Sequence, residues 1–287
     1  MKIIRSAKLF QKTLELGRAR GKSIGFVPTM GALHEGHLSL VRESKKQNDL
    51  TAVSIFVNPT QFGPQEDFKK YPRVLKQDSA LLKKTGIDYL FYPSVGEIYP
   101  EGTVCSVKID AVKNPYLIYS LCGKYRPGHF EGVATVVAKL FNLSGACTAY
   151  FGEKDWQQTR VIKRLIEDFK FPVSLKVLPT LREKDGLAMS SRNRYLSFSD
   201  RRKAGLFARA LKIAARKAST NESLERIQKT ALWDLKRLGL RPQYFEFVDG
   251  QTLQPLKKSR RGMRLIAACF AGKTRLIDNV IIRAPQK

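Results

Sequence analysis

Short apolar runs alternate with amphipathic segments along the first 180 residues. The apolar runs predict buried strands over 24–28, 51–59, 87–93, 149–152 and 171–179. Apolar positions at helical spacing predict helices over 36–47, 74–86, 133–143 and 155–169. Continuous runs, rather than strict alternation of apolar and polar residues, are typical of strands covered on both faces. The pattern therefore predicts an α/β fold built on a Rossmann-like, doubly wound parallel sheet.

The pattern changes near residue 180. Two amphipathic helices over 200–218 and 222–238 are followed by three strands without helices between them, over 244–249, 264–270 and 275–282. We therefore expect a Rossmann-like domain over residues 1–180 and a smaller α+β domain over residues 181–287. The stretch 94–129 is irregular, with SVKID at 106–110 as a candidate extra strand.

The composition is that of an ordinary globular chain, with 287 residues, 43% apolar and 27% charged. No apolar run approaches the roughly 20 residues that span a bilayer. The N-terminus lacks the apolar stretch and cleavage site of a secretory signal, which favours a cytoplasmic location and gives no reason to expect a membrane partner. Four cysteines lie far apart, without a CxxC pair, and we expect reduced, buried, structural thiols: Cys105, Cys122, Cys147 and Cys269.

The formal net charge of +27 is large for this length. Such a charge attracts polyanions, and nucleic acid is the first candidate. The excess is spread along the chain, however, with 27 basic and 16 acidic residues in 1–180 and 25 and 9 in 181–287. No RNA-binding aromatic motif or zinc finger accompanies it. A generally basic surface is the favoured interpretation, and nucleic acid is not an expected partner.

Two of the three histidines, His34 and His37, lie in the segment HEGH, which follows a predicted strand and opens a predicted helix. Three interpretations compete. A zinc pair of the HExxH type requires a wider spacing and a third ligand. The two side chains could instead be bonded only to the backbone, in a purely structural role. The strand–turn–helix context favours a phosphate site, because Gly31 and Gly36 allow close backbone approach and the helix N-terminus offers N–H donors.

HEGH resembles the HxGH motif of the nucleotidyltransferase superfamily, which includes class I aminoacyl-tRNA synthetases. Longer strings resemble the pantoate–β-alanine ligase family, in the family's order and from end to end of the chain. They are VPTMGALHEGHLSLV (27–41), SIFVNPTQF (54–62), YPR (71–73), PS-x₃-IYP (93–100), RPGHFEGV (126–133), FGEKDWQQ (151–158), KDGLAMSSRNRYL (184–196) and RLIDN (275–279). A lone HxGH is a weak indication, but eight ordered strings are a specific one.

The resemblance implies an AMP-forming ligase that condenses (R)-pantoate with β-alanine to give pantothenate. A pantoate carboxylate oxygen attacks the α-phosphorus of ATP, which gives pantoyl adenylate and pyrophosphate. The β-alanine amine then attacks the acyl carbon and releases AMP. Because negative charge grows on phosphate oxygens, such a site needs cationic and N–H donors together with Mg²⁺. The resemblance also implies a homodimer, whereas the sequence itself identifies no residue as a metal ligand.

The resemblance places ATP on two groups of residues. The first group is the loop formed by Met30, Gly31, Ala32, Leu33, His34, Glu35, Gly36 and His37. The second comprises Gly152, Glu153, Lys154, Asp155, Leu181, Met189, Ser190, Ser191 and Arg192. His37, His34 and Lys154 are the expected catalytic residues. We interpret the histidines as hydrogen-bond donors to phosphate, since adenylation releases no proton that must be captured.

The resemblance also places pantoate on Gln61, Gln158 and Asn58, and β-alanine on Gln61. The alternative for each of these residues is an amide that stabilises a turn. Arg126 and His129 match a loop near the substrates, without an assigned role.

Two further functions stay open on the sequence. One is a nucleotidyltransferase with a phosphate-bearing acceptor, which the neutral pair Gln61 and Gln158 disfavours. The other is a nucleic-acid-binding protein, which the charge suggests. The departures from the family pattern are Trp156 in place of an expected phenylalanine and Met189 where leucine also occurs, and neither removes a polar contact.

Overall fold

A computed structural model describes residues 1–64, 66–101, 104–110, 112–220 and 222–282. The chain forms two compact units. The first unit comprises Met1–Ile109, Arg126–Glu153 and Gln158–Pro179. The second unit comprises Asp110–Tyr125, Lys154–Gln157 and Thr180–Lys287. It therefore includes two short segments from earlier in the chain, and a functional division at residue 180 stays a prediction.

Strands and helices alternate along residues 1–179. The strands are β1 (Lys2–Ile4), β2 (Ile24–Thr29), β3 (Leu50–Ile55), β4 (Tyr89–Phe91), β5 (Cys147–Gly152) and β6 (Val173–Leu178). The helices are α1 (Ala7–Ala19), α2 (Glu35–Gln47), α3 (Leu75–Lys84), α4 (Val95–Ile98), α5 (Leu121–Tyr125), α6 (His129–Ser144) and α7 (Trp156–Phe169). From residue 180 onward the elements are α8 (Phe198–Ala218), α9 (Leu224–Arg237), β7 (Arg241–Asp249), β8 (Met263–Ala271) and β9 (Thr274–Ile281).

The six strands of the first unit form one parallel sheet with the order β1-β4-β3-β2-β5-β6. This confirms the predicted α/β fold. The chain proceeds from β2 to β3 and β4 on one side of β2, and then returns to β5 and β6 on the other side. Strand order thus reverses between β2 and β5, and ligands of doubly wound sheets bind at the carboxyl ends of the strands at such a point.

Burial on both faces explains why the central strands are apolar runs. Phe26, Val27 and Val53 are completely buried. The ring of Phe10 on α1 stacks on that of Phe91 on β4, with centroids 4.3 Å apart. Each buried side chain of this size contributes about 1.5–3 kcal/mol relative to an exposed one, so the sheet is a stable base for the loops at its carboxyl edge.

The second unit contains an antiparallel sheet with the order β7-β8-β9, as the α+β prediction required. Helices α8 and α9 begin at the serine caps Ser197 and Ser223, whose hydroxyls accept a backbone N–H from the first turn. Their apolar faces share a core with the strands, which includes Phe207, Leu235 and Phe245.

Several details differ from the expectations. The three-residue strand β1 was not predicted, because it is too short to show a period. The candidate strand at 106–110 was wrong: the described residues there form no strand, and the Val107 N–H donates to the Thr135 hydroxyl at 3.0 Å instead of to another strand. All four cysteines are free thiols, but Cys105 is exposed and Cys147 is only partly buried, whereas Cys122 and Cys269 are buried as expected. Among the described residues, no helix is long and apolar enough to cross a membrane.

Candidate active site

The segment between β2 and α2 is a tight loop that only certain residues can form. Gly31 has φ +79°, and a Cβ there would lie 2.9 Å from Ile55 Cγ2 and 3.0 Å from Asp78 Oδ2. Ala32 also has a left-handed backbone, with φ 51°, which costs a non-glycine residue roughly 1 kcal/mol. The Thr29 hydroxyl accepts the Gly31 N–H at 3.1 Å. The loop is therefore held in one conformation by its surroundings.

Asp78 on α3 binds the backbone of this loop. Its carboxylate is 2% exposed and accepts the Ala32 N–H at 2.9 Å and the Leu33 N–H at 2.8 Å, one on each oxygen. Asp78 lies outside the eight sequence strings that indicated the site. A signal was present, since Asp78 lies four residues before the buried Leu82 and thus on the buried face of its helix.

His34 and His37 lie together at the start of α2. His34 is the N-cap residue, and its Nδ1 accepts the Gly36 N–H at 3.1 Å. His37 Nδ1 accepts the backbone N–H of His34 at 3.4 Å, and the ring centroids are 4.1 Å apart. A backbone N–H can only donate, so we infer that each neutral ring carries its proton on Nε2. Both rings thus have an Nε2–H donor, as the phosphate interpretation requires. Glu35, between them, is exposed and paired with Arg42 at 2.6 Å.

A turn after β3 carries the two amides that we expected to contact pantoate. Asn58 caps the 3₁₀ turn Pro59–Gln61, is 1% exposed, and donates to Gly132 O and to Gln61 Oε1, both at 3.1 Å. Its Oδ1 accepts the Tyr99 hydroxyl at 2.9 Å. Both polar atoms of the Asn58 side chain therefore have protein partners, and a pantoate contact by Asn58 would require one of these bonds to be released.

Gln61 is placed directly beside the loop after β2. Its Nε2 donates to the sulfur of Met30 at 3.0 Å, and its side chain is almost completely buried. A thioether is a weak acceptor. Exchange of this bond for one to a substrate oxygen is therefore favourable, which suits a substrate-binding amide.

Arg126 and His129 act on the backbone of the same turn. Arg126 Nη2 donates to Gln61 O at 3.2 Å, and His129 Nδ1 bonds the same oxygen at 2.8 Å. Arg126 also donates through Nη1 to His129 Nε2 at 2.8 Å, so the neutral His129 ring carries its proton on Nδ1. Glu66 accepts two 2.6 Å bonds from Arg126. Burial would raise the pKa of Glu66, but the hydrogen bonds and charge of Arg126 outweigh it and the pKa is lowered.

The two adjacent glutamines after β5 differ in their surroundings. Gln157, 4% exposed, accepts the Cys122 N–H at 2.9 Å and donates to Leu117 O at 3.0 Å and to Ser120 O at 2.9 Å. Gln158 is half-buried, and its amide makes no hydrogen bond within the part of the chain that the structure describes. The side chain of Gln157 thus stabilises the segment at 117–122, whereas the side-chain amide of Gln158 can form hydrogen bonds with a ligand.

In the second unit, the predicted phosphate loop is joined to the predicted adenine contact. The Met189 N–H donates to Leu181 O at 3.0 Å. Ser190 caps the 3₁₀ turn Ser191–Tyr195, with its hydroxyl accepting the Arg192 N–H at 3.3 Å. Ser191 is buried at the start of this turn. Leu181, Met189, Ser190, Ser191 and Arg192 therefore form one local structure.

The turn between Leu181 and Met189 is closed by Arg201. Its guanidinium lies 2.5 Å from Asp185 Oδ2 and 2.5 Å from Glu183 Oε2. The hydrogen bond from Arg201 lowers the pKa of Asp185 and outweighs the opposing effect of burial. Gly186 has φ +91°, a conformation that favours glycine.

The described residues contain no group of three or more His, Cys, Asp or Glu side chains that could hold a metal. Mg²⁺ is commonly bound through phosphates and water with few protein ligands. The donor set therefore provides no preformed Mg²⁺ cage, and any Mg²⁺ would be held mainly by the phosphates of ATP.

One of two cavities lies beside the loop after β2, and the other lies away from all these segments. One of about 190 Å³ in the first unit is lined by Met30, Gly31 and Asp78, among others, but not by His34, His37 or Gln61. A groove of about 460 Å³ in the second unit lies between α8 and α9 and contains none of the predicted site residues. Neither of these two cavities is lined by His34, His37 or Gln61.

Comparison with known proteins decides the family. The model of the pantoate–β-alanine ligase family matches residues 2–281. The chain belongs to this family. The pantothenate synthetase of Caldicellulosiruptor saccharolyticus is 50% identical over 267 residues, which cover 92% of this chain and 93% of that protein. The pantothenate synthetase of Sulfurihydrogenibium is 47% identical over 287 residues, 98% of this chain and 99% of that one.

Solved structures of pantoate–β-alanine ligases share the fold. The pantothenate synthetase of Thermus thermophilus matches with a TM-score of 0.92 and 42% identity, over 99% of this chain and 100% of that one. The pantoate–β-alanine ligase of Francisella tularensis, described as complexed with beta-gamma ATP and beta-alanine, matches with a TM-score of 0.82 and 37% identity over 98% and 97%. The family that the eight sequence strings indicated is thus confirmed, and with it the assignment of the chain as a ligase.

Proposed function

We propose that this enzyme condenses (R)-pantoate with β-alanine to give pantothenate, through a pantoyl adenylate, and releases AMP and pyrophosphate. The observation that carries the proposal is the arrangement of His34 and His37. Both rings lie at the N-terminus of α2, after the carboxyl end of β2 where strand order reverses, and each has an Nε2–H donor. Neutral N–H donors at a helix N-terminus suit the phosphate oxygens of ATP.

In the first step, a pantoate carboxylate oxygen attacks the α-phosphorus and pyrophosphate leaves. His34 and His37 donate hydrogen bonds to phosphate oxygens, and Lys154 adds a cation. Such donors stabilise the transition state because negative charge increases on the oxygens that they face. The loop Met189–Arg192 and the 3₁₀ turn at 153–155 belong to this proposal as ATP contacts, with the backbone of Leu181 at adenine and Asp155 at ribose. Mg²⁺ would accompany the phosphates and offset part of their negative charge.

In the second step, the β-alanine amine attacks the acyl carbon, and AMP leaves. We assign pantoate to the amides of Gln61 and Gln158, and β-alanine to Gln61. The support is that, among the described residues, the hydrogen-bond partner of Gln61 Nε2 is a thioether and the amide of Gln158 has no hydrogen-bond partner. Arg126 and His129 position the Gln61 backbone rather than contact substrate. Asn58 stabilises the turn that carries Gln61.

We also propose that the enzyme is a homodimer, as the family resemblance implies, and that it acts in the cytoplasm.

Two measurements test the reaction. Purified enzyme is incubated with ATP and Mg²⁺, with and without each co-substrate, and AMP and pantothenate are measured. AMP formation must require both pantoate and β-alanine. Exchange of labelled pyrophosphate into ATP must require pantoate but not β-alanine, because the adenylate forms before the amine reacts. Exchange without pantoate, or transfer of the nucleotide to a phosphate-bearing acceptor, would refute the ligase mechanism.

A further inference from the structure

The string RLIDN at 275–279 ends in two polar residues within an apolar strand. Asp278 is 1% exposed and Asn279 is 3% exposed, both in the middle of β9. Successive residues of a strand face opposite sides of the sheet. Adjacent buried polar side chains therefore require a partner on each side, and the proposed reaction assigns neither residue a role.

On one face, Asp278 binds the segment that carries the proposed adenine and phosphate contacts. Its two oxygens accept Arg182 Nη1 at 2.6 Å and Nη2 at 2.9 Å. Arg182 follows Leu181 directly, and its Nη1 also donates to Gly186 O at 3.0 Å. This paired, bidentate bond fixes the turn from which the loop Met189–Arg192 continues.

On the other face, Asn279 binds the segment that carries Lys154. Its Nδ2 donates to Lys154 O at 3.0 Å, and its Oδ1 accepts Arg264 Nη1 at 2.6 Å. The Arg264 guanidinium in turn lies 3.5 Å above the indole centroid of Trp156. The Trp156 Nε1–H donates to Gly250 O at 2.9 Å. Asn279 thus contacts the backbone at Lys154 directly and the side chain of Trp156 through Arg264.

The two side chains are linked to each other. The Asn279 N–H donates to Asp278 Oδ1 at 2.7 Å, and Arg182 Nη2 reaches Asn279 O at 3.3 Å. A shift of one side chain would therefore be transmitted to the other. The dipeptide sets the relative position of Lys154 and the turn after Leu181 by hydrogen bonds that are shielded from water.

We propose that Asp278 and Asn279 are positioning residues for the nucleotide, which hold the Lys154 backbone and the Leu181–Arg192 segment in register with each other. This inference rests on the proposed function, since it assumes that both segments contact ATP. Neither residue is proposed to touch the substrates.

Asn279→Asp tests the inference, because it removes the donor to Lys154 O while it keeps the size of the side chain. The new carboxylate still accepts from Arg264, now as an ion pair that supports folding, but it cannot donate to Lys154 O. We expect kcat/KM for ATP to fall by about 10- to 100-fold, as for other displaced site residues, mainly through KM. The KM for pantoate is expected to stay near the wild-type value. The thermal midpoint is expected to fall, because the buried carboxylate faces the Lys154 carbonyl and lies next to Asp278, so kinetics are measured at a temperature where the variant is folded.

The kinetics of this variant are compared with those of a control variant, and ATP binding is measured independently by tryptophan fluorescence. Ser259→Ala also removes one side-chain bond to a backbone carbonyl of the second unit, that of Ala218 at 2.7 Å, but far along the chain from both segments. It should leave ATP kinetics unchanged. In a Trp233→Phe background, which removes a half-exposed ring, Trp156 is the sole tryptophan. Its fluorescence on ATP titration should give a weakened Kd for the Asn279→Asp variant.

Lys154→Ala, measured in parallel, separates the two ideas. If Lys154→Ala leaves ATP kinetics unchanged, the ATP assignment in the proposed function is wrong. If Lys154→Ala is impaired but Asn279→Asp keeps wild-type KM and Kd for ATP, the positioning role alone is overturned. It is also overturned if the lost activity of Asn279→Asp is fully explained by a smaller folded fraction, because a structural role would produce that result.

Discussion

Asp78→Asn is the most direct test of how the ATP loop is held. The carboxylate of Asp78 accepts two backbone N–H groups, one on each oxygen. An asparagine retains one of these acceptors and replaces the other with an NH₂ group, which faces an N–H. The variant therefore keeps the size of the side chain but leaves one buried loop N–H without a partner.

The cost can be worked from the contacts. A hydrogen bond to a charged acceptor contributes about 1.5–3 kcal/mol, and an unpaired buried donor costs about 1–3 kcal/mol. The two contributions partly describe the same effect and are not simply added. We therefore expect the free energy of unfolding to fall by about 2–4 kcal/mol when the 2%-exposed Asp78 is replaced. At about 2–4 °C per kcal/mol, the thermal midpoint should fall by roughly 5–15 °C.

The same loss should weaken ATP binding, because the loop then spends part of its time outside the binding conformation. Apparent affinity falls by the fraction of competent molecules, and each 1.4 kcal/mol is about tenfold. Left-handed Ala32 adds to the effect, since its backbone relaxes once the Ala32 N–H is released. We expect KM for ATP to rise by about 10- to 100-fold at 25 °C, where the variant is still folded.

Steady-state kinetics with ATP varied and thermal unfolding of the same samples measure both effects. Ser79→Ala is the matched control on the same helix. The Ser79 hydroxyl is buried and has no hydrogen-bond partner among the described residues, so its removal should not lower the thermal midpoint. If Asp78→Asn keeps the wild-type KM for ATP while its midpoint falls, Asp78 stabilises the fold but does not hold the loop in its ATP-binding conformation.

Three further predictions concern separate parts of the molecule. His37→Ala should reduce the single-turnover rate of adenylate formation by on the order of 10²–10³, as removal of an oxyanion donor does; a near-normal rate would count against its role. Gln61→Leu should raise KM for pantoate and slow acyl transfer while ATP affinity, measured by fluorescence titration, stays the same; an equal loss of ATP affinity would mean that the pocket is misplaced. Burial would raise the pKa of Asp249, but hydrogen bonds from Thr252, Arg260 and Gln251 lower it to about 2. Its stabilising contribution is therefore complete above an ordinary pKa of 3.8 and is lost as pH falls towards 2. The Asp249→Asn variant should have a lower thermal midpoint than the wild type at neutral pH, and its midpoint should change less between pH 4 and pH 2. If the midpoint of the variant depends on pH as steeply as that of the wild type, the assignment to Asp249 is wrong.

The sequence predicted the elements that repeat a local pattern. The run at 24–28 corresponds to β2, where burial on both faces leaves a continuous apolar stretch. The run at 171–179 corresponds to β6, although this edge strand is only partly buried. The run at 51–59 extended too far, because Asn58 and Pro59 form a 3₁₀ turn after Ile55. Residues such as Asn58 have side chains that bond locally and compete with the strand.

Partners distant in the sequence could not be predicted in this way. Asp78 bonds residues 45 and 46 positions away, and Asp278 bonds Arg182 96 positions away. Periodicity shows which face of an element is buried but not what lies opposite. The residues that support the loop after β2 and the turn after Leu181 were therefore missed. HEGH, from its residue types and context, and MSSR, from the family resemblance, stay predictions.

The second unit is built from three separate segments of the chain, and this affects how the chain folds during synthesis. Trp156 is made 94 residues before its partner Gly250. At the usual translation rate of about 5–20 residues per second, Gly250 is added about 5–20 s after Trp156, and the indole N–H cannot form its bond to the Gly250 carbonyl before then. The segment Lys154–Gln157 therefore reaches its final bonding only after β7 has emerged from the ribosome. A gene split at codon 180 would part this segment from its partners, so the two halves should be inactive until they are made together.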